Sequence, residues 1–304
     1  MAVQFTENKL IKLFIEIDDL LIAFKKYKYQ EREGLIRKRR PTRTRALNGS
    51  EVCTILVAYH LSGYKCFEYY YKDKVLRQLE GYFPKAPSYE CFLSYIPKAM
   101  DAMYLWLLYS GGRSDRTGLY FIDSKKMEGC HLKREHSHKV FQDYAGKGKC
   151  SVGWFYGLKI HLVINNLGEI ISLELTAGNM ADNNQDLLRE LLQKLEGCCV
   201  GDKGYLSKLF AFFYENGLHL LTKPRKNMKN KLVKIQDNKL LDKRGIIESV
   251  FDILTSICDI EHTRHRKANN AFTPIFAGLV AYQYLDKKPS VFFPSLKDKR
   301  TLVA

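Results

Sequence analysis

The spacing of the apolar residues changes near Thr117, and this change constrains the fold more than any other feature of the sequence. Before it, apolar side chains recur at helical spacing, as in residues 6–25, so the first 112 residues are predicted to be helical. After it, residues 155–164 ("FYGLKIHLVI") alternate between apolar and polar side chains, as a strand does. A helical region therefore precedes a region that contains a sheet.

The second region combines strands with helices. The segment "GLYFID" predicts a short strand that ends at Asp123, and "FYGLKIHLVI" predicts a half-buried strand. The turn "NNLGE" leads from the latter into "IISLEL", which favours an antiparallel hairpin. Short strands and helices alternate thereafter. The predicted fold class is α/β, a mixed sheet flanked by helices and preceded by an all-helical N-terminal domain.

The charge of the chain indicates the kind of partner it binds. Its formal net charge is +16 and its pI is about 9.3, which favours a polyanion such as nucleic acid or an anionic membrane surface. No apolar run is long enough to span a membrane, and the N-terminus lacks the pattern of a signal peptide. Eight cysteines without a C-x-x-C pair are typical of reduced thiols. We expect a cytoplasmic protein that binds nucleic acid and no membrane.

Two aspartates follow predicted strands. Asp123 ends "GLYFID", and Asp202 lies between two glycines after the apolar run "CCV". Ligands of open α/β sheets gather where strands end, so both carboxylates are candidate site residues. Aspartate is also common in turns and at helix N-caps, and each residue alone fits that interpretation equally well. Together they could hold Mg²⁺, which prefers oxygen ligands.

Glu248 is the candidate for a third carboxylate. It lies in "KRGIIESVF", a predicted helix on which Ile247 and Phe251 form a core-facing stripe. Arg244 precedes it by four residues and is predicted to lie on the same face. An ordinary surface ion pair in this order is worth only a few tenths of a kcal/mol, so stability alone explains the pair poorly.

Five motifs, taken in their order along the chain, resemble those of a known family. The sequence resembles the DDE transposases of bacterial insertion sequences, most closely the insertion-sequence 982 family, over roughly residues 117–290. The motifs are "YFIDS", "GLKIHLVINNLGEIISLELTAGNMADN", "GDKGY", "KRGIIESVFDIL" and "RHRKANNAF...GLVAYQYLDKKPS". No single motif is specific, but their ordered set is.

The resemblance implies an RNase H-like catalytic fold in which Asp123, Asp202 and Glu248 bind two Mg²⁺ or Mn²⁺ ions, with Arg244 as a further catalytic residue. It also implies a helical DNA-end-binding domain at 1–112, a catalytic domain at 113–290 and a C-terminal tail at 291–304. The implied function is binding of the element's terminal inverted repeats, strand cleavage and transfer into target DNA. A homodimer on DNA, in a nucleoid-associated bacterial protein, is expected. A nuclease of the same fold and an inactive DNA-binding relative are the alternatives.

Basic residues around these motifs are predicted to contact DNA phosphates. They are Arg39, Arg40, Arg43, Arg45, Lys133, Arg134, Lys203, Lys223, Arg225, Lys226, Arg264 and Arg266. The cysteines and histidines of residues 130–150 could alternatively be arranged around zinc, although their spacing fits no standard zinc site. Asp182, in "GNMADNN", is interpreted as the N-cap of the following helix.

Overall fold

The computed structural model describes residues 6–30, 46–150, 153–205, 208–223, 235–261 and 267–293. The chain forms two compact units, Met1–Leu107 with Leu254–Leu285 and Leu108–Ile253 with Asp286–Ala304. The predicted functional division into 1–112, 113–290 and 291–304 stays a prediction. No helix in the described part of the chain is long and apolar enough to cross a membrane.

Ten α-helices and six strands are present among the described residues. The helices are α1 (Glu7–Gln30), α2 (Gly49–Leu61), α3 (Phe67–Tyr70), α4 (Tyr89–Phe92), α5 (Ile96–Arg113), α6 (Gln185–Leu192), α7 (Phe210–Glu215), α8 (Ile235–Asp242), α9 (Gly245–Ser256) and α10 (Ala268–Gln283). The strands are β1 (Leu119–Cys130), β2 (Gly146–Cys150), β3 (Gly153–Asn165), β4 (Ile170–Ala177), β5 (Gly197–Gly201) and β6 (Leu218–Thr222). A π-helical segment, Tyr71–Gln78, extends α3.

Helix α2 is the centre of the first unit. Its side chains are buried nearly all round, as expected of an interior helix, and it packs against α1 and α10. It begins at Gly49 because Asn48 and Glu51 form a reciprocal capping box with two 2.7 Å hydrogen bonds. The basic segment 36–45 lies outside the described residues.

A mixed sheet forms the second unit. Its main strand order is β2-β3-β1-β5-β6, and β4 pairs with β3. β3 pairs antiparallel with β1, β2 and β4, whereas β5 is parallel to both β1 and β6. The predicted hairpin is confirmed as β3–β4. Helices α6 and α7 cover one face, where Tyr120 and Ile122 join an apolar cluster with Leu188 and Phe213.

Two strand predictions were wrong in detail. β1 does not end at Asp123 but continues to Cys130, because its second half pairs with β3. β3 was predicted to be half-buried, yet both faces are covered beyond Leu158, and His161 and Val163 are fully buried. The coarser prediction of a mixed sheet flanked by helices is confirmed.

Candidate active site

Asp123 and Asp202 lie at neighbouring positions, Asp123 within β1 and Asp202 directly after the adjacent parallel strand β5. Ile122 of β1 is the register partner of Gly201, the last residue of β5, and each aspartate follows one of these two residues. Asp202 is exposed after the end of β5, as predicted. Asp123 lies within a longer strand, at the level where the pairing with β5 stops. The sheet register therefore brings the two predicted residues together.

The Asp123 carboxyl group is largely buried, with 20% of its side chain exposed. Burial raises its pKa to about 6, and the charges of Asp202 and Asp182 add to this increase. A 2.8 Å hydrogen bond from the Ser124 amide and the charge of Arg244 lower the pKa but offset only part of the increase. Ionisation of Asp123 is thus costly chiefly because the group is buried, and a cation beside it would offset that cost.

Arg244 joins Asp123 to Glu248. It lies between α8 and α9, and its guanidinium nitrogens are 2.8 Å from Asp123 Oδ2 and 2.6 Å from Glu248 Oε1. Glu248 lies in the first turn of α9, whose Ile247 and Phe251 are buried as the apolar stripe predicted. The i,i+4 spacing predicted the pairing with Glu248. The contact with Asp123 spans 121 residues and had no signal in the sequence.

The donor set suits a hard divalent cation, since carboxylate oxygens are the ligands that Mg²⁺ and Mn²⁺ prefer. Asp123 and Asp202 fit such an ion by donor type and by their proximity, since the charge of Asp202 acts on Asp123. Within the described ranges, no three His, Cys, Asp or Glu side chains are close enough together to hold a metal ion. Glu248 is bound by Arg244, and its side chain is 59% exposed.

Asp182 is the residue that the sequence interpretation missed. The N-cap of α6 is Asn184, whose side chain accepts hydrogen bonds from the Asp186 and Leu187 amides. The N-cap interpretation of Asp182 was therefore wrong. Its Oδ1 instead accepts hydrogen bonds from Ser124 Oγ at 2.9 Å and Lys159 Nζ at 3.1 Å. Lys159 was the available signal, because an ammonium in an apolar strand needs a carboxylate partner.

Four of the predicted DNA-contacting residues lie in the described part of the chain, and all four are exposed. Lys133 and Arg134 lie in the 3₁₀ turn Leu132–Ser137 that follows β1, and Lys203 is adjacent to Asp202. Lys223 follows β6 and is 3.5 Å from the Asp242 carboxylate. Eight others lie outside the described residues: Arg39, Arg40, Arg43, Arg45, Arg225, Lys226, Arg264 and Arg266.

Comparison with known families gives one match. A family model described as "Transposase DDE domain" matches residues 113–268, more than half of the 304-residue chain. The matched segment contains Asp123, Asp202, Arg244 and Glu248. No curated protein matches the chain.

Proposed function

The chain belongs to the transposase DDE domain family, and from this premise we propose that it binds the ends of its insertion sequence and cleaves and transfers DNA strands. The observation that carries the proposal is the register of β1 and β5, which places Asp123 and Asp202 side by side. The motifs resemble the insertion-sequence 982 family most, and we propose membership of it. The mixed sheet is compatible with the RNase H-like fold that this function requires.

Asp123, Asp202 and Glu248 are the proposed ligands of two Mg²⁺ or Mn²⁺ ions. Such ions, when bound, polarise the scissile phosphodiester and activate water or a 3′-hydroxyl for in-line attack. The carboxylates supply negative charge and oxygen donors. Arg244 supplies a planar guanidinium, which can hold the Glu248 carboxylate or grip a phosphate through two parallel hydrogen bonds.

DNA is the proposed partner. The net charge of +16 suits a polyanion, and the exposed Lys133, Arg134 and Lys203 belong to the same unit as the aspartates. We propose that residues 1–112 recognise the terminal inverted repeats, with Arg39, Arg40, Arg43 and Arg45 among the phosphate contacts. We further propose a homodimer on DNA in the bacterial cytoplasm, associated with the nucleoid.

A strand-joining assay tests this function. The full-length protein would be incubated with labelled DNA from both flanks of its coding sequence and with a supercoiled target plasmid, in Mg²⁺, Mn²⁺ or EDTA. We expect metal-dependent cleavage and a labelled joint product, both absent with Asp202→Asn.

Each other outcome identifies an alternative. Cleavage without joining would indicate a nuclease of the same fold. Specific DNA binding with neither reaction would indicate an inactive relative. Substantial Mg²⁺-dependent cleavage by Asp202→Asn would refute the assignment of the carboxylates.

A further inference from the structure

A partly buried polar cluster lies on the opposite face of β1 from Asp123. Ser124 follows Asp123 in the strand, so its side chain points to the other face. There the Ser124 hydroxyl donates to Asp182 Oδ1 at 2.9 Å, and Lys159 donates to the same oxygen at 3.1 Å. Asp182 itself belongs to the connection between β4 and α6. We call Ser124, Asp182 and Lys159 the support cluster.

The support cluster is partly buried, with 28% of the Asp182 side chain exposed. The Lys159 side chain is only 12% exposed and also donates to the Met180 carbonyl at 3.0 Å. His161 is fully buried with its Nδ1 3.9 Å from Asp182 Oδ1, and burial lowers its pKa to about 4, so it is neutral near pH 7. The positive charge that offsets Asp182 is therefore that of Lys159. Breaking a partly buried pair of this kind costs more than breaking an exposed one.

Asp182 also contacts the turn that carries Asp202. A Cβ atom added to Gly204 would lie 3.4 Å from Asp182 Oδ2 and 3.8 Å from Asp182 Cβ, so the backbone of the turn packs against this side chain. Tyr205, in the same turn, is buried, and its amide donates to the Asp202 carbonyl at 3.0 Å. One carboxylate thus touches the segments that carry both catalytic aspartates.

We propose that Asp182 is a positioning residue, held by Lys159 and Ser124. It fixes the Asp202 turn relative to Asp123, so that Asp123 and Asp202 can bind one cation. This inference rests on the proposed function, because it assigns the two aspartates to a metal ion. Groups that orient metal ligands from behind commonly change metal affinity about 10- to 100-fold when they are lost.

The competing interpretation is that Asp182 is itself a metal ligand. Removing Lys159 distinguishes the two interpretations. If Asp182 is a ligand, removing Lys159 frees its carboxylate and removes a positive charge, so cation binding should tighten. If Asp182 is a positioning residue, removing Lys159 loosens its carboxylate, so cation binding should weaken. The two interpretations predict opposite signs for the same variant.

The test is Mn²⁺ binding without DNA, followed by the electron paramagnetic resonance signal of free Mn²⁺. The full-length parent, Asp182→Asn, Lys159→Gln and the double variant are compared. We expect each single variant to bind Mn²⁺ about tenfold more weakly. The double variant should be no weaker than the weaker single variant, because the two side chains act as a unit.

Two further variants complete the experiment, one as a control and one as an alternative to Asp182→Asn. Lys126→Gln is the matched control, since Lys126 is the register partner of Lys159 and binds Glu128 instead of Asp182. It should bind Mn²⁺ as the parent does, or slightly more tightly. Ser124→Ala keeps the ion pair and should weaken Mn²⁺ binding about twofold to threefold, which preserves the test if Asp182→Asn does not fold.

The outcomes separate the two proposals. Parent-like Mn²⁺ binding by both Asp182→Asn and Lys159→Gln would overturn the positioning role and leave the proposed function standing. Tighter binding by Lys159→Gln with weaker binding by Asp182→Asn would make Asp182 a metal ligand instead. A parent protein that binds no Mn²⁺ would overturn the metal chemistry of the proposed function and this inference with it.

Discussion

Two carboxylate clusters lie back to back on β1 and differ in their access to ligands. On one face, Asp123 and Glu248 share the guanidinium of Arg244, whose side chain is 26% exposed. On the other, Asp182 accepts from Lys159 and Ser124, and Lys159 is nearly buried. Both clusters pair carboxylates with a cation. The most exposed carboxylate belongs to the first cluster, since the Glu248 side chain is 59% exposed and that of Asp182 is 28% exposed.

The difference shows how the two faces of one strand can carry separate polar clusters. Successive side chains of a strand point to opposite faces, so neighbours in sequence can have unrelated surroundings. On the Asp123 face, burial raises the pKa of Asp123 to about 6, and the charges of Asp202 and Asp182 add to the increase. On the Asp182 face, the Asp182 carboxylate is paired with the largely buried ammonium of Lys159. We expect substitutions that change either the charge or the shape of these side chains to disrupt the support cluster.

The adjacent residues Asp123 and Ser124 give the largest expected contrast. Asp123→Asn removes a proposed metal ligand and should lower strand cleavage at least about a thousandfold, equivalent to roughly 4 kcal/mol of barrier. Ser124→Ala removes one hydrogen bond and should lower cleavage only a few-fold. Single-turnover cleavage of labelled DNA measures both. Similar losses of cleavage in the two variants would show that the two faces of β1 do not differ in this way.

Arg244 tests the exposed cluster. Arg244→Ala should melt within a few degrees of the parent, yet lose at least about tenfold in strand cleavage, which corresponds to roughly 1.4 kcal/mol of barrier. Arg244→Lys should recover part of the rate, because an ammonium keeps the charge but cannot bridge two carboxylates with a planar fork. Arg189→Ala is a suitable control, since Arg189 forms an exposed pair with Asp186. Parent-like cleavage by Arg244→Ala would reduce this residue to a surface ion pair.

The smallest expected effect is a change in stability and concerns Glu174, on the same side of the sheet as the support cluster. It tests that side without changing Lys159. Glu174 is the register partner of His161 on β4, and burial together with the Glu190 carboxylate raises its pKa from 4.5 to about 7. The folded protein therefore keeps a proton that the unfolded chain has already released. The resulting stability is complete below about pH 4.5 and is lost as the pH rises through about 7.

Glu174→Gln should remove this pH dependence. Relative to the parent, the variant should be more stable at pH 8 than at pH 5, by about 1 kcal/mol or less after solvent screening. Thermal unfolding at the two pH values measures the difference. If the variant and the parent differ in stability by the same amount at pH 5 and at pH 8, Glu174 titrates normally. Lys72→Gln, which removes an exposed pair with Glu68, gives the baseline.

The sequence alone determined the features that depend on near neighbours in the chain. The alternation of "FYGLKIHLVI" predicted β3 and its hairpin with β4, and the motif "KRGIIESVF" predicted the pairing of Arg244 with Glu248. Asp202 lies after its strand as "CCVGDKGY" indicated. These predictions succeeded because periodicity and i,i+4 spacing are local properties of the backbone.

Only the tertiary structure decided the features that depend on partners far along the chain. β1 extends past Asp123 because β3 pairs with it, and β3 is buried on both faces because α6 and its neighbours cover the side with His161. The bond between Ser124 and Asp182 joins residues 58 positions apart, and that between Arg244 and Asp123 joins residues 121 apart. Hydrogen bonds and ion pairs depend on distance in space, which the sequence sets only through the complete sheet register and the packing of its helices.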